Sequence, residues 1–258
     1  MHYFLYKNAK IAYSDVGAGE TIVLLHGFLE NSMMWHFFTE AFRTSKRIVT
    51  IDLLGHGQSD CLGYVHSMEE NAAVVFEILL HLNIKNFSIV GHSMGGYVAL
   101  AFAERHSEMI TKLALLNSTA AADNAEKKEN RDRAILVVKR DYETFVRMAI
   151  GNLFAEKNRE TLSDIIEKTK LQALKTPLQG IIASLEGMKI RADRTTFFKN
   201  FDTKKLLILG QKDAVLNFDE AKKQAQNSNI EMVSFPDGHM THLENTIELL
   251  KVFHVFFD

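Results

Sequence analysis

Six short runs of near-continuous apolar residues recur along the chain with helical sequence between them, and this alternation limits the fold more than any other feature. The runs are "TIVLLHG" from Thr21, "RIVTIDL" from Arg47, "FSIVGHS" from Phe87, "KLALLNS" from Lys112, "KLLILGQ" from Lys205 and "EMVSFPD" from Glu231. Strands that are apolar throughout, rather than alternately, are covered on both faces. The intervening pattern is helical, as in "SMEENAAVVFEILLHL" from Ser67, where Ser67 and Glu70 have the spacing of a capping box. The expectation is an α/β chain with a mostly parallel, doubly wound sheet flanked by helices. Tyr3 to Ser14 alternates weakly and predicts an antiparallel hairpin at the sheet edge.

The alternation breaks once. From Ala121 to Lys199 no strand run occurs and charged, helix-favouring sequence dominates. A stretch this long is not an ordinary loop. It predicts two units: a core formed by residues 1–120 and 200–258, and an inserted helical lid, or cap, over 121–199. A lid would cover the carboxyl edge of the sheet, where open α/β sheets bind ligands. Between Ala121 and Lys204 there are 17 Lys and Arg against 13 Asp and Glu, a local charge of +4. Solvated helix faces account for such a balance, and a cationic lid would also suit acidic substrates.

Composition removes several function classes. At 258 residues and 47% hydrophobic content the chain can bury a full core. A net charge of -2, without a long basic run, does not fit a nucleic-acid or membrane-surface partner. One cysteine, Cys61, cannot form an internal disulfide. No apolar stretch has the length of a membrane span, and "MHYFLYKNAKIAYSDVG" lacks the features of a secretory signal. A soluble cytoplasmic protein is expected.

Within "FSIVGHSMGGYVALAF" the stretch Gly91 to Gly95 reads G-x-S-x-G at a strand-to-helix junction. That context turns a common pattern into a nucleophile elbow, in which strained backbone angles project Ser93 from the sheet edge. A serine hydroxyl needs a base and an orienting acid, in the order Ser, acid, His. His239 follows Gly238 at the exit of the last strand run and is the expected base; His242 is expected to cap the next helix or face solvent. Asp213 leaves its strand run at the same sheet edge, where the "LALLNS" run offers only Asn117 and Ser118. Asp52 precedes the nucleophile and is expected to brace the Gly55–His56–Gly57 turn, while Asp237 stands too close to His239 in sequence to reach its far nitrogen. His26 is expected to be a structural turn residue.

Hydrolysis also needs donors for a developing oxyanion. The backbone N–H of Met94 at the helix N-terminus and that of Phe28 after "TIVLLHG" are the expected pair, each supplying about 3 kcal/mol. Phe145, Met148, Leu153, Phe154 and Met188 are candidates for an acyl pocket, although Phe and Met at helical spacing are more often plain core. The eleven histidines show no metal-ligand spacing such as H-E-x-x-H.

The segments "HGF", "DLLGHGQSD", "GHSMGG", "GQKD" and "GHMTHLE", in this order, resemble the α/β-hydrolase fold superfamily over essentially the whole chain, in particular its small lid-bearing serine esterases. The resemblance implies a Ser93, Asp213, His239 triad, an oxyanion hole at Phe28 and Met94, no cofactor and no metal, and a small-molecule ester substrate. Haloalkane dehalogenases and epoxide hydrolases of this fold carry aspartate where Ser93 stands. Carbon-carbon hydrolases often have Trp where Met240 stands. The menaquinone-pathway synthase resembles the "LHGFLENSMMW" opening but has Arg near the elbow, which "GHSMGGY" lacks. Cofactor-free haloperoxidases and perhydrolases share the triad. A carboxylesterase is the expectation; a carbon-carbon bond hydrolase or lyase, or a non-enzymatic ligand-binding protein, remain the alternatives.

Overall fold

The computed structural model describes residues 1–258. Eight strands form one sheet: β1 (His2–Tyr6), β2 (Ala9–Gly17), β3 (Thr21–Leu25), β4 (Arg47–Ile51), β5 (Phe87–His92), β6 (Ile110–Leu116), β7 (Lys204–Gly210) and β8 (Ile230–Phe235). Their spatial order is β1-β2-β4-β3-β5-β6-β7-β8. The first two strands make the predicted edge hairpin, closed by Lys7 and Asn8 at φ 46° and 68°. Two successive positive φ values match the right-handed twist of the flanking strands. β2 runs antiparallel to β1 and β4, and every other neighbouring pair is parallel.

Both faces are covered, which is why the strand runs are apolar throughout; β3 and β5 are buried at every residue. On one face α2 (Met68–His81) and α3 (Met94–Arg105) bury residues such as Val75, Leu79, Val98 and Phe102. On the other, α1 (His36–Phe42) and the C-terminal helix α11 (Thr246–Phe257) lock together through Phe38, Phe42, Phe253 and Phe257, with the Phe38 and Phe42 rings stacked at 4.5 Å. Ser67 caps α2 by accepting from Glu70 N–H at 3.0 Å, a contact whose loss costs about 1 kcal/mol. The reciprocal half of the predicted capping box is not made. The Glu70 carboxylate instead accepts from Lys7 Nζ at 2.8 Å, since the hairpin turn places that lysine beside it.

Between β6 and β7 the chain builds five helices: α4 (Ala125–Arg140), α5 (Tyr142–Leu153), α6 (Ser163–Ala173), α7 (Leu178–Lys189) and α8 (Thr195–Asn200). This segment is fastened to the core at defined points. The buried Arg194 guanidinium donates to Glu69 of α2 at 2.6 Å and Glu104 of α3 at 2.9 Å. Gly180 of α7 lies so close to Gly55 that a Cβ there would stand 2.2 Å from the Gly55 carbonyl oxygen. At the return to the sheet, buried Lys205 donates to the carbonyls of Phe198, Lys199 and Phe201 at the end of α8. The short helices α9 (Phe218–Lys222) and α10 (Thr241–Glu244) complete the fold. No helix is long and apolar enough to cross a membrane.

Candidate active site

The parallel strands deliver their carboxyl ends to one edge, and the turn after β5 there is closed tightly by glycines. A Cβ on Gly91 would stand 2.3 Å from the Gly95 carbonyl oxygen, and one on Gly95 would stand 2.4 Å from the Leu25 carbonyl oxygen. No side chain fits at either place. Ser93 between them adopts φ 50°, ψ -115°, a conformation of the strained kind that nucleophile elbows carry. It is held by its own N–H donating to Leu116 O at 2.9 Å and its carbonyl accepting from Ser118 Oγ at 2.7 Å. α3 begins at the next residue, so the Met94 N–H stands at a helix N-terminus.

His239 and Asp213 come together at the ends of β8 and β7. His239 Nδ1 lies 2.6 Å from Asp213 Oδ2 with both side chains buried. Asp213 is also fixed through Oδ1, which accepts from Val215 and Leu216 N–H at 2.8 and 2.9 Å. Burial alone would raise its pKa, but His239 and these two N–H groups outweigh that and hold the carboxyl below its usual range. Asn117, at φ 44°, donates from Nδ2 to Asp213 Oδ2 at 3.1 Å and to Gly238 O at 3.2 Å, so the β6 terminus holds the Asp213 carboxylate in place. The loop that carries His239 is tied to the helical segment as well. His239 N–H donates to Leu153 O at 2.8 Å, and Glu244 accepts from Gly238 and Ala155 N–H at 2.9 and 2.8 Å.

The loop after β3 carries Phe28 into the same region. Glu30 Oε2 accepts from Gly27 N–H at 2.8 Å and stands 2.6 Å from His92 Nδ1, while His92 Nε2 donates to His239 O at 3.0 Å. Glu30 and His92 were not anticipated. His92 adjoins Ser93, yet its partner is 62 residues away, and no local pattern announces such a pair. Burial opposes the Glu30 charge, but His92 overcomes it and lowers the Glu30 pKa to about 2. Burial likewise opposes charge on His92, and Glu30 overcomes it, so the His92 pKa is raised.

His242 departs from expectation. It is buried, with Nε2 3.5 Å from Glu30 Oε1, and burial lowers its pKa to about 3. Glu30, His92 and His242 each bring a potential metal-ligating atom within 4.8 Å of the others. Both His92 nitrogens nevertheless face acceptors, a carboxylate and a carbonyl, so that ring has no lone pair to give a cation. Asp52 braces its turn as predicted, accepting from Ser32 and Gln58 N–H at 2.7 and 2.9 Å. His26 is buried and structural, accepting from Leu53 N–H at 2.9 Å. Asp237 pairs with Lys157 at 2.8 Å, away from His239.

A cavity of about 90 Å³ opens on Ser93 and His239, with Phe28, Tyr97, Leu153 and Met188 in its wall. Of the five predicted pocket residues, Leu153 and Met188 line it and the other three do not. Met148 is 60% exposed on the outer face of α5 and borders a surface groove beside Arg147. Phe154 is buried in the main core, and Phe145 packs against it half-buried. Among the wall residues that sequence reasoning missed, Tyr97 and Arg131 are polar; Arg131 of α4 has its Nη1 3.4 Å from Met188 Sδ while its Nε pairs with buried Asp123. Asp123 also pairs with Arg191 at 2.7 Å, and the Arg191 guanidinium stacks 4.0 Å from the Tyr97 ring centroid.

The chain belongs to the alpha/beta hydrolase fold family, whose sequence model matches residues 20–161. Over 249 residues it is 29% identical to a Bacillus subtilis (strain 168) protein provisionally named 2-succinyl-6-hydroxy-2,4-cyclohexadiene-1-carboxylate synthase, covering 91% of this chain and 90% of that one. It is 38% identical over 113 residues to a Paraburkholderia phymatum 2-hydroxy-6-oxononadienedioate/2-hydroxy-6-oxononatrienedioate hydrolase, covering 42% of this chain and 39% of that one. Among solved structures, a thermophilic esterase from Thermogutta terrifontis superposes with a TM-score of 0.91 at 29% identity, covering 96% of this chain and 93% of the other.

Proposed function

We propose that this protein is a serine hydrolase that cleaves small carboxylic esters through an acyl-enzyme. The observation that carries the reading is the 2.6 Å Asp213–His239 hydrogen bond at a cavity whose floor is the strained Ser93. With its Nδ1 proton held by Asp213, His239 presents Nε2 as the base. Nε2 takes the Ser93 hydroxyl proton as Oγ attacks the ester carbonyl carbon. The Phe28 and Met94 N–H groups stabilise the resulting oxyanion. Collapse breaks the bond to the leaving alcohol, which receives the proton from His239. Water, deprotonated by the same ring, then attacks the acyl carbon and releases the acid and free Ser93. Neither metal nor organic cofactor enters a step. Residues 121–199 act as the lid, and Leu153 and Met188 meet the acyl group. Assay of p-nitrophenyl esters of rising chain length, with Ser93→Ala beside wild type, tests this reading. Turnover by wild type alone supports it, and equal turnover by both overturns it.

A second reading draws on Arg131. In the Asp123, Arg131 and Arg191 group one carboxylate serves two guanidinium groups. A cation in the wall of a small cavity favours a substrate that carries an acid group. The names of the Bacillus and Paraburkholderia relatives describe a carboxylate and a dioate. A carbon-carbon bond hydrolase or lyase acting on an acidic substrate with the same serine fits this feature.

A further inference from the structure

We propose that Glu30 and His92 form a buried carboxylate–imidazolium pair that positions the oxyanion loop and the base about the nucleophile. The inference rests on the reading of Ser93 as nucleophile and His239 as base. The His239 carbonyl can only accept, so His92 Nε2 carries a proton at that 3.0 Å contact. Glu30, held ionised by its charged and hydrogen-bonded neighbours, already accepts from Gly27 N–H at Oε2, and at 2.6 Å the same oxygen accepts from His92 Nδ1 as well. Both ring nitrogens are therefore protonated and the ring is cationic. The pair is enclosed, with side-chain exposures of 1% for His92 and 4% for Glu30.

Few other charges reach it. His26 from the β3 turn and His242 from α10 face the pair, and burial keeps both neutral by lowering their pKa values. The His239 ring lies 5.0 Å from the His92 ring, centroid to centroid and tilted by 53°, with Asp213 bonded to its Nδ1. Space is tight too: a Cβ on Gly27 would stand 2.4 Å from Glu30 Oε2 and 2.7 Å from His92 Nδ1. One carboxylate thus holds the N–H immediately before Phe28 and, through His92, both the residue before Ser93 and the carbonyl of His239. It touches no reacting atom. Its effect is relative placement, where displacements of about 1 Å cost up to about 100-fold in rate.

The test has two arms. Nitrogen-15 NMR of the wild-type histidines should find both His92 ring nitrogens protonated at pH 7; an unprotonated His92 nitrogen at that pH overturns the inference without any variant. Glu30→Gln, His92→Gln and the double variant are then compared with wild type for ester kcat and KM and for the rate of fluorophosphonate labelling at Ser93. The expected result is a kcat and labelling rate lower by about 10- to 100-fold with little change in KM, and a double variant no slower than the slower single, because the two act as one unit. Folded variants that label as fast as wild type overturn the inference alone. A wild type that does not label at all overturns the nucleophile reading instead.

Discussion

Asp213 Oδ2 sits 2.6 Å from His239 Nδ1, although the two residues come from the ends of different strands, β7 and β8. The contact is supported from three sides: Asn117 holds the carboxylate, Val215 and Leu216 N–H fix its other oxygen, and Leu153 O takes the His239 N–H. A parallel sheet makes this economical, because neighbouring carboxyl ends meet at one edge without long loops.

Removing the acid should cost rate more than fold. Asp213→Asn keeps the shape but lets His239 take the wrong tautomer, and kcat should fall by about 10⁴-fold. Steady-state kinetics beside a circular dichroism spectrum like that of wild type checks this.

The strain at Ser93 should be measurable as stability. Glycine tolerates φ 50° without penalty, so Ser93→Gly should abolish activity and yet stabilise the fold by about 1 kcal/mol. For a chain of this size that is roughly 2–4 °C in melting temperature. A lower melting temperature than wild type would contradict the strained reading.

Conversely, alanine at Gly91 or Gly95 must push main-chain atoms apart, because the nearest atoms to its Cβ are backbone at 2.3 and 2.4 Å. Each should destabilise by about 3 kcal/mol or more. Denaturant midpoints for the two variants, against Gly63→Ala as a control with no atom within 4 Å although at positive φ, test the claim.

Stability should fall on mild acidification. His56, His66 and His242 are buried with pKa values lowered to about 3, 4 and 3. Each stays neutral when folded but takes a proton when unfolded below about pH 6.5. The unfolded state therefore binds more protons between pH 6.5 and about 4, and each group removes about 1.4 kcal/mol per pH unit in that window. His92, whose pKa is raised, acts in the opposite direction: its contribution is full below pH 6.5 and lost as pH rises through its folded pKa. His26, whose pKa burial also lowers, adds to the loss, and His92 is charged in both states below pH 6.5, so the melting temperature should drop from pH 7 to pH 5. An unchanged value would contradict it.

Arg131 divides the two readings of the site. If it recognises an acid group, Arg131→Met should lower kcat/KM for acid-bearing substrates by about 10- to 100-fold, the worth of one charged hydrogen bond, and leave neutral esters nearly unchanged. An equal loss on both classes would assign the arginine to the cavity's architecture.

Some of this was legible in the chain and some was not, for physical reasons. The elbow is encoded locally, since Gly91 and Gly95 answer to clashes within a few residues and the adjoining elements. Asp213 and His239 could be ranked because a parallel sheet gathers strand ends in a known order. The Glu30–His92 pair had no such signal, because it depends on how two loops 62 residues apart meet in three dimensions. Phe145, Met148 and Phe154 failed as pocket residues because helical spacing gives a face but not what the face meets: one turned outward and two joined the core. The half-made capping box at Ser67 is similar, since the position of Lys7 is a property of the hairpin.

The most direct test of the central claim is intact-protein and peptide mass spectrometry after reaction with a fluorophosphonate. The account predicts one adduct per chain, on the peptide holding Ser93, absent from Ser93→Ala and slowed in Asp213→Asn. An adduct on another residue, or equal labelling of the Ser93→Ala variant, would contradict it.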